Sequence, residues 1–172
     1  MYPFEQGGLD ALCGIYSLVN AERIINGTSA EESQQLFSAI IAFLDKEKGL
    51  LASILTEGML SKHIRAILKE VLMELIPYQK LHFAGTKNPD LSTFWSEVSS
   101  FLSDNEKSAV LLGISGVHDH WTVVKEISEQ RIRLLDSDNL CHLNRCNCTT
   151  SDAKGKRLHI LYPAQTYFLK SD

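Results

Sequence analysis

The sequence contains no apolar run long enough to cross a membrane. A spanning helix needs about 18 or more consecutive apolar residues, and charges interrupt even the most apolar stretch, residues 64–76, at Arg65, Lys69, Glu70 and Glu74. The first six residues also lack the basic start and apolar core of a secretory signal. These absences predict a protein without a membrane span that stays in the cytoplasm, with export by a route without a cleaved signal left open.

Concentrated positive charge, internal repeats and low-complexity tracts are absent as well. The 172 residues include 17 basic and 21 acidic side chains, for a net charge of -4. We find no basic face of the kind that nucleic acid binding requires, so nucleic acid is not a predicted partner. With 44% apolar and 22% charged residues, the composition is globular rather than disordered. The length and the lack of a linker predict one domain over residues 1–172.

Helical periodicity dominates the first half of the chain. Apolar residues recur at spacings of three and four, which predicts helices over residues 12–25, 30–46, 60–75 and 91–102. Ser29 and Glu32 form a capping-box pattern before the second helix, and Asp90 can cap the fourth. Pro77 limits the third helix.

The second half has the shorter period of strands. Compact apolar or alternating segments predict strands over residues 109–114, 121–127, 131–135 and 158–169, with Pro163 expected to interrupt the last one. The second and third strands are close enough to form a hairpin. The polar residues 139–156 are predicted as a loop. Helices followed by an antiparallel sheet indicate an α+β fold.

One of the four cysteines, Cys13, stands at a predicted helix start after a loop that contains two glycines. The positive end of the helix dipole favours a thiolate there, and the thiolate is the nucleophilic form. We interpret Gly14 as leaving room for a substrate carbonyl, and Gln6 as an amide donor that joins the Cys13 backbone N–H in an oxyanion site. The alternative is a buried cysteine that acts only as a small apolar side chain.

A nucleophilic thiol needs a base, and His120 is the best candidate because it begins a predicted strand. The hairpin partner strand is followed by Asp136, so the carboxylate is expected near the imidazole, where it can orient the ring. His118 would share a face with His120 if the strand began earlier, and it is then an alternative base or half of a metal site. Asp119 should point to the opposite face, and Asp138 lies past the strand.

Together these residues resemble the motifs of the papain-like cysteine peptidase superfamily. The segment QGGLDALCGIY, from Gln6, resembles its Gln followed by a Cys-Gly helix start. HWTVV, from His120, followed by the LLD that ends at Asp136, resembles its His strand and its Asn or Asp strand end. The chain is most similar to compact bacterial members such as the double-glycine leader peptidases. The resemblance implies a papain-like α+β fold, with the nucleophile at a helix N-terminus packed on a C-terminal antiparallel sheet.

The same resemblance implies a role for each motif residue. Cys13 would be the nucleophile, His120 the general base and then acid, Asp136 the orienting group, and Gln6 the oxyanion donor. The expected activity is that of a cysteine peptidase that cleaves a peptide or isopeptide bond of a protein or peptide substrate through an acyl-thioester, without a cofactor. An acyltransferase or transglutaminase, an amidase, and a non-catalytic peptide-binding domain of the same fold are the alternatives.

The other three cysteines, Cys141, Cys146 and Cys148, lie close together beside His142. Their C-x₄-C-x-C spacing differs from the paired spacings of structural zinc sites. We therefore expect unpaired or partly oxidised thiols and no metal, although His159 could complete a three-cysteine site. A metal-binding or redox-sensing module built on this segment is a third hypothesis for function.

Overall fold

The structure, a computed structural model, describes residues 1–85, 89–151 and 157–171. Within these ranges the helices are α1 Cys13–Asn26, α2 Ala30–Leu44, α3 Leu50–Glu57, α4 Ser61–Glu70 and α5 Leu91–Asp104. The strands are β1 Tyr78–Leu81, β2 Ser108–Gly116, β3 His120–Ile127, β4 Arg131–Leu134, β5 His142–Asn144, β6 Cys148–Thr149 and β7 His159–Lys170. A short 3-10 helix spans Arg145–Asn147. The predicted α+β layout, with N-terminal helices and a C-terminal antiparallel sheet, is confirmed.

One sheet connects the strands in the order β1-β7-β2-β3-β4-β5, with antiparallel neighbours throughout this path, and β6 pairs in parallel with β7. The central strand β2 is buried on both faces. Its Leu111 packs into the core formed with α1 to α4, whereas Val110 and Leu112 pack into the core formed with α5. Because successive side chains of a strand point to opposite faces, this alternation places helices on both sides of the sheet.

The predicted helix starts are confirmed where a side chain caps the helix. The Ser29 hydroxyl accepts the Glu32 backbone N–H at 3.2 Å, and the Glu32 carboxylate accepts the Ser29 N–H at 2.8 Å. Asp90 accepts the Thr93 N–H at 2.7 Å at the start of α5. No helix in the described part of the chain is long and apolar enough to cross a membrane.

The third predicted helix is shorter in the structure, because α4 ends at Glu70 instead of residue 75. The Gln79 side-chain amide donates to the carbonyls of Leu68 and Ile76, at 2.8 Å each. The Leu68 carbonyl, which a longer helix would have paired, is thus satisfied by a side chain. Helix α3 was not predicted from the sequence. This helix has eight residues and no side-chain cap, and Ile54 is its buried residue.

The predicted loop at residues 139–156 is wrong in part. Within residues 139–151, β5 pairs with β4 and β6 pairs with β7 through backbone hydrogen bonds, which polar side chains do not prevent. Residues 152–156 lie outside the described residues. The last strand continues through Pro163. Its pairing with β2 skips from Leu161 to Thr166 opposite Gly113. The expected interruption therefore affects the hydrogen-bonded pairing with β2 and does not end the strand.

Candidate active site

Cys13 is the first residue of α1 and is 9% exposed. The preceding loop is held by Asp10, whose carboxylate accepts the backbone N–H groups of Gly7 at 2.8 Å and Leu12 at 3.2 Å. The Ala11 N–H donates to a carbonyl of α3 at 3.0 Å. These bonds fix the sulfur at the helix start. As the first helical residue, Cys13 has a backbone N–H without an acceptor inside the helix.

Gly14 has a different role from the one predicted. A Cβ at this position would lie 2.8 Å from the Met59 sulfur and 3.2 Å from a methyl of Ile64. The missing side chain therefore allows α1 to pack against the start of α4, and it does not open space for a substrate carbonyl.

His120 and Asp136 form a buried pair, and their predicted proximity is confirmed. The His120 Nε2 lies 2.8 Å from an Asp136 carboxylate oxygen, with the two side chains 7% and 1% exposed. The register of the sheet explains this contact: Val124 of β3 pairs with Leu134 of β4, and the N–H of the next residue, Leu135, donates to the Val123 carbonyl. Asp136, two residues after β4, therefore lies beside His120 at the start of β3.

Asp136 is also anchored by its own loop. Its second carboxylate oxygen accepts the backbone N–H groups of Asp138 at 2.8 Å and Leu140 at 3.1 Å. Burial alone would raise the pKa of Asp136, but the hydrogen bond and the charge of His120 outweigh burial and lower it. The group is thus held as a carboxylate. Asp138, considered as an alternative to Asp136, contributes its backbone to this anchor.

The imidazole of His120 is held in its protonated form. Burial alone would lower the pKa of His120, but the hydrogen bonds and charges of Asp136 and Cys13 reverse this effect and raise the pKa to about 10. Since Nε2 contacts Asp136, the hydrogen bond of the ring with the Cys13 side chain falls to the other ring nitrogen, Nδ1. The pair can therefore hold a proton at the ring until a reacting group takes it.

Cys13 and His120 line the same cavity of about 420 Å³. One wall is the segment between α3 and α4, and the other is formed by the sheet, including Gln165, together with Asp119, which precedes β3. A hydrogen bond links the two walls: the indole N–H of Trp121 in β3 donates to the carbonyl of Met59, between α3 and α4, at 2.8 Å.

Two lining residues differ from the sequence interpretation. Asp119 was expected to point away from His120, but it precedes the strand in a turn and faces the cavity. Gln165 was missed, because it lies in the segment of β7 that skips pairing and has no motif around it. A Cβ on Gly113 would overlap the Gln165 side chain, so the absence of a side chain at Gly113 gives this amide its place.

Gln6 lies next to the anchored loop of Asp136. Its backbone N–H donates to the Ser137 carbonyl at 3.0 Å, and its side-chain oxygen is buried without a hydrogen-bond partner among the described residues. Gln6 is not among the described residues that line the cavity of Cys13. Its role as oxyanion donor stays a prediction.

His118, the alternative base, is directed elsewhere. β3 begins at His120, so His118 lies in the turn before the strand, where its ring stacks on His159 at a centroid distance of 5.8 Å and an interplanar angle of 12°. It does not line the cavity of Cys13 among the described residues.

The cysteine-rich segment does not gather its side chains around one point. Cys141 and Cys146 are exposed, whereas Cys148 is buried and donates to the Asn144 carbonyl. Burial raises the pKa of the Cys148 thiol to about 12. In the part of the chain that the structure describes, no group of three or more His, Cys, Asp or Glu side chains could hold a metal ion. His159 pairs with Cys148 through the strand register.

Comparison with known proteins adds no relative. No family model matches the chain, and neither a curated protein nor a solved structure matches it. The resemblance to papain-like peptidases therefore depends on the motif residues alone. The α+β layout is observed, whereas a papain-like fold is a proposal.

Proposed function

We propose that the protein is a cysteine hydrolase of papain-like fold, with Cys13 as nucleophile and His120 and Asp136 as its acid–base pair. The observation that carries the proposal is the buried 2.8 Å contact of His120 with Asp136 on the wall of the cavity that Cys13 also lines. Nucleophilic catalysis by a thiol requires such an adjacent base held by a third group.

The proposed reaction begins from an ion pair in which His120 already holds the proton of Cys13, and the Cys13 thiolate attacks the carbonyl carbon of a peptide or isopeptide bond. The carbon–nitrogen bond then breaks, and His120 gives its proton to the departing amine, leaving an acyl-thioester on Cys13. A water molecule passes a proton to His120 and attacks the thioester carbonyl. The carbon–sulfur bond breaks, the carboxylic acid leaves, and the thiolate of Cys13 again faces a His120 that holds the proton taken from water.

The surroundings of the pair suit these steps. The raised pKa of His120 keeps the ring protonated at neutral pH, as the general acid requires at the moment when the amine leaves. Asp136 is held by three hydrogen bonds, one from His120 and two from backbone N–H groups, so the imidazole keeps one orientation through the cycle. The Cys13 backbone N–H, unpaired within α1, is a donor for the oxyanion.

A peptide-like probe with an electrophilic acyl group tests this proposal. We expect one probe molecule per wild-type chain, attached to Cys13, and no labelling of the Cys13→Ala variant. Cys141→Ala removes an exposed thiol and is the matched control, so it should label like the wild type. Equal labelling of wild type and Cys13→Ala would contradict the proposal.

The same labelled enzyme distinguishes hydrolysis from acyl transfer. Probes with a peptide, an isopeptide or an ester bond show which acyl donor reacts, and an added amine shows whether the acyl-thioester passes to a nucleophile other than water. Faster release of the acyl group to the amine, with the amide as product, would favour a transferase over a hydrolase.

A further inference from the structure

A second, larger groove of about 1070 Å³ lies along β4, toward the end of the strand opposite Asp136. Four arginines line it, namely Arg131, Arg133, Arg145 and Arg157. No basic face is evident in the sequence because these residues come from different segments and the net charge is -4. Folding therefore creates a local positive surface on an acidic protein.

Three of the four guanidinium groups have only neutral partners among the described residues. Arg131 donates to the Asn144 side-chain oxygen at 3.1 Å, and Arg145 donates to the Ser92 hydroxyl at 3.1 Å. Arg157 donates to the backbone carbonyls of Arg145 and Cys146. Their positive charges are oriented by these bonds but not neutralised.

The remaining charges around the groove offset the arginines only in part. Arg133 forms an exposed ion pair with Glu126 at 3.1 Å. Among the described residues that line the groove, the carboxylates are Asp90 and Glu129, and Asp90 is engaged with the backbone at the start of α5. Because guanidinium groups match carboxylates and phosphates in geometry, the groove is suited to an anionic ligand.

We propose that this groove binds a segment of a partner protein that is rich in Asp and Glu. Arg131 and Arg133 are exposed on β4 two residues apart, so their side chains leave the same face about 7 Å from each other. Together with the other arginines, this spacing suits a row of carboxylates better than a single small anion.

A nucleic acid strand fits the groove less well. Single strands are held by bases stacked on aromatic side chains, and none of the described lining residues is aromatic. The ring of Trp95, which contacts the groove residue Arg145, is buried and lies under the Arg145 guanidinium at 5.2 Å. The proposal is also independent of the proposed catalysis, because none of the described residues that line this groove lines the cavity of Cys13.

Binding of a fluorescent peptide of ten glutamates to the full chain tests the proposal by fluorescence anisotropy. We expect saturable binding that salt weakens, and no binding of a ten-lysine peptide. Arg131→Gln/Arg133→Gln should weaken binding about tenfold, since each exposed charge contact contributes modestly. Lys46→Gln/Lys48→Gln makes the same change of charge at exposed positions outside the groove and should bind like the wild type. Circular dichroism checks that both variants fold.

Alkylation of Cys146, an exposed residue of the groove, locates the binding site. A saturating glutamate peptide should slow iodoacetamide modification of Cys146 and leave Cys141, which is exposed outside the groove, unchanged. Absence of binding, unprotected Cys146, or equal weakening in the lysine and arginine variants would overturn the proposal. Tighter binding of a thymidine oligonucleotide of equal charge would identify nucleic acid as the preferred ligand of the groove. That result would also overturn the proposal.

Discussion

Replacement of Asp136 with asparagine should destabilise the protein in a way that depends on pH. The loop anchor survives the change, because the oxygen of an asparagine side chain can still accept the backbone N–H groups of Asp138 and Leu140. The substitution therefore removes the negative charge beside His120 and replaces the oxygen that faces Nε2 with an NH₂ group, which cannot accept an N–H. A protonated His120 that is 9% exposed would then be buried without the charge and the acceptor that Asp136 supplies.

The structure gives the size and the sign of this effect. The pKa of His120 is raised from 6.5 to about 10 on folding, which corresponds to about 5 kcal/mol at low pH. Asp136 and Cys13 both cause the rise, and we assign about 3 kcal/mol to Asp136, at the lower end of the cost of breaking a buried ion pair. Because the folded pKa is raised, this stability is fully present below about pH 6.5 and is lost as the pH rises through about 10.

The pKa of Asp136 changes in the opposite direction and sets the acid limit of the experiment. Since it is lowered on folding, the stability it contributes is present above the unfolded value of about 3.9 and is lost as the pH falls through the folded value. Measurements from pH 6 upward therefore avoid the titration of Asp136 itself.

Urea unfolding followed by tryptophan fluorescence at pH 6, 8 and 10 measures the difference. We expect Asp136→Asn to lose about 3 kcal/mol at pH 6, with the loss shrinking toward zero near pH 10. Asp138→Asn makes the same chemical change at an exposed carboxylate two residues away and should be neutral. A loss that is the same at pH 6 and pH 10, or one that Asp138→Asn reproduces, would refute the reasoning.

Three further substitutions test other parts of the account. Gly14→Ala should cost about 1–3 kcal/mol in thermal unfolding because its Cβ would meet Met59, whereas Gly8→Ala, which has open space, should be close to neutral. Ser29→Ala should cost about 1 kcal/mol through loss of the α2 cap, measured in the same way. Gln6→Ala should slow labelling of Cys13 by the acyl probe about 100-fold if Gln6 supplies an oxyanion donor; an unchanged rate would exclude that role.

The sequence predicted those features that depend on neighbours along the chain. Ser29 and Asp90 mark helix starts because their side chains bond to backbone groups three residues later. The approach of His120 to Asp136 was predictable because a short hairpin connects β3 and β4. In such a hairpin the residue that begins the first strand lies beside the residues that follow the second.

Features that depend on distant contacts were missed or misread. Gly14 was assigned to substrate access because the sequence does not show its neighbours in the fold. These neighbours, Met59 and Ile64, lie far along the chain. β5 and β6 have polar sequences, and their pairing with β4 and β7 supplies the order that the sequence pattern does not show. The basic groove escaped notice for the same reason, since its arginines come together only in the folded protein.

The order in which iodoacetamide modifies the four cysteines at neutral pH tests the central claim most directly. Cys13 is 9% exposed, whereas Cys141 and Cys146 are exposed, so accessibility alone would place Cys13 behind them. If His120 and Asp136 activate the sulfur, Cys13 is modified first. In Asp136→Asn, Cys13 should no longer react faster than Cys141 and Cys146. Modification of Cys141 and Cys146 ahead of Cys13 in the wild type would contradict the claim.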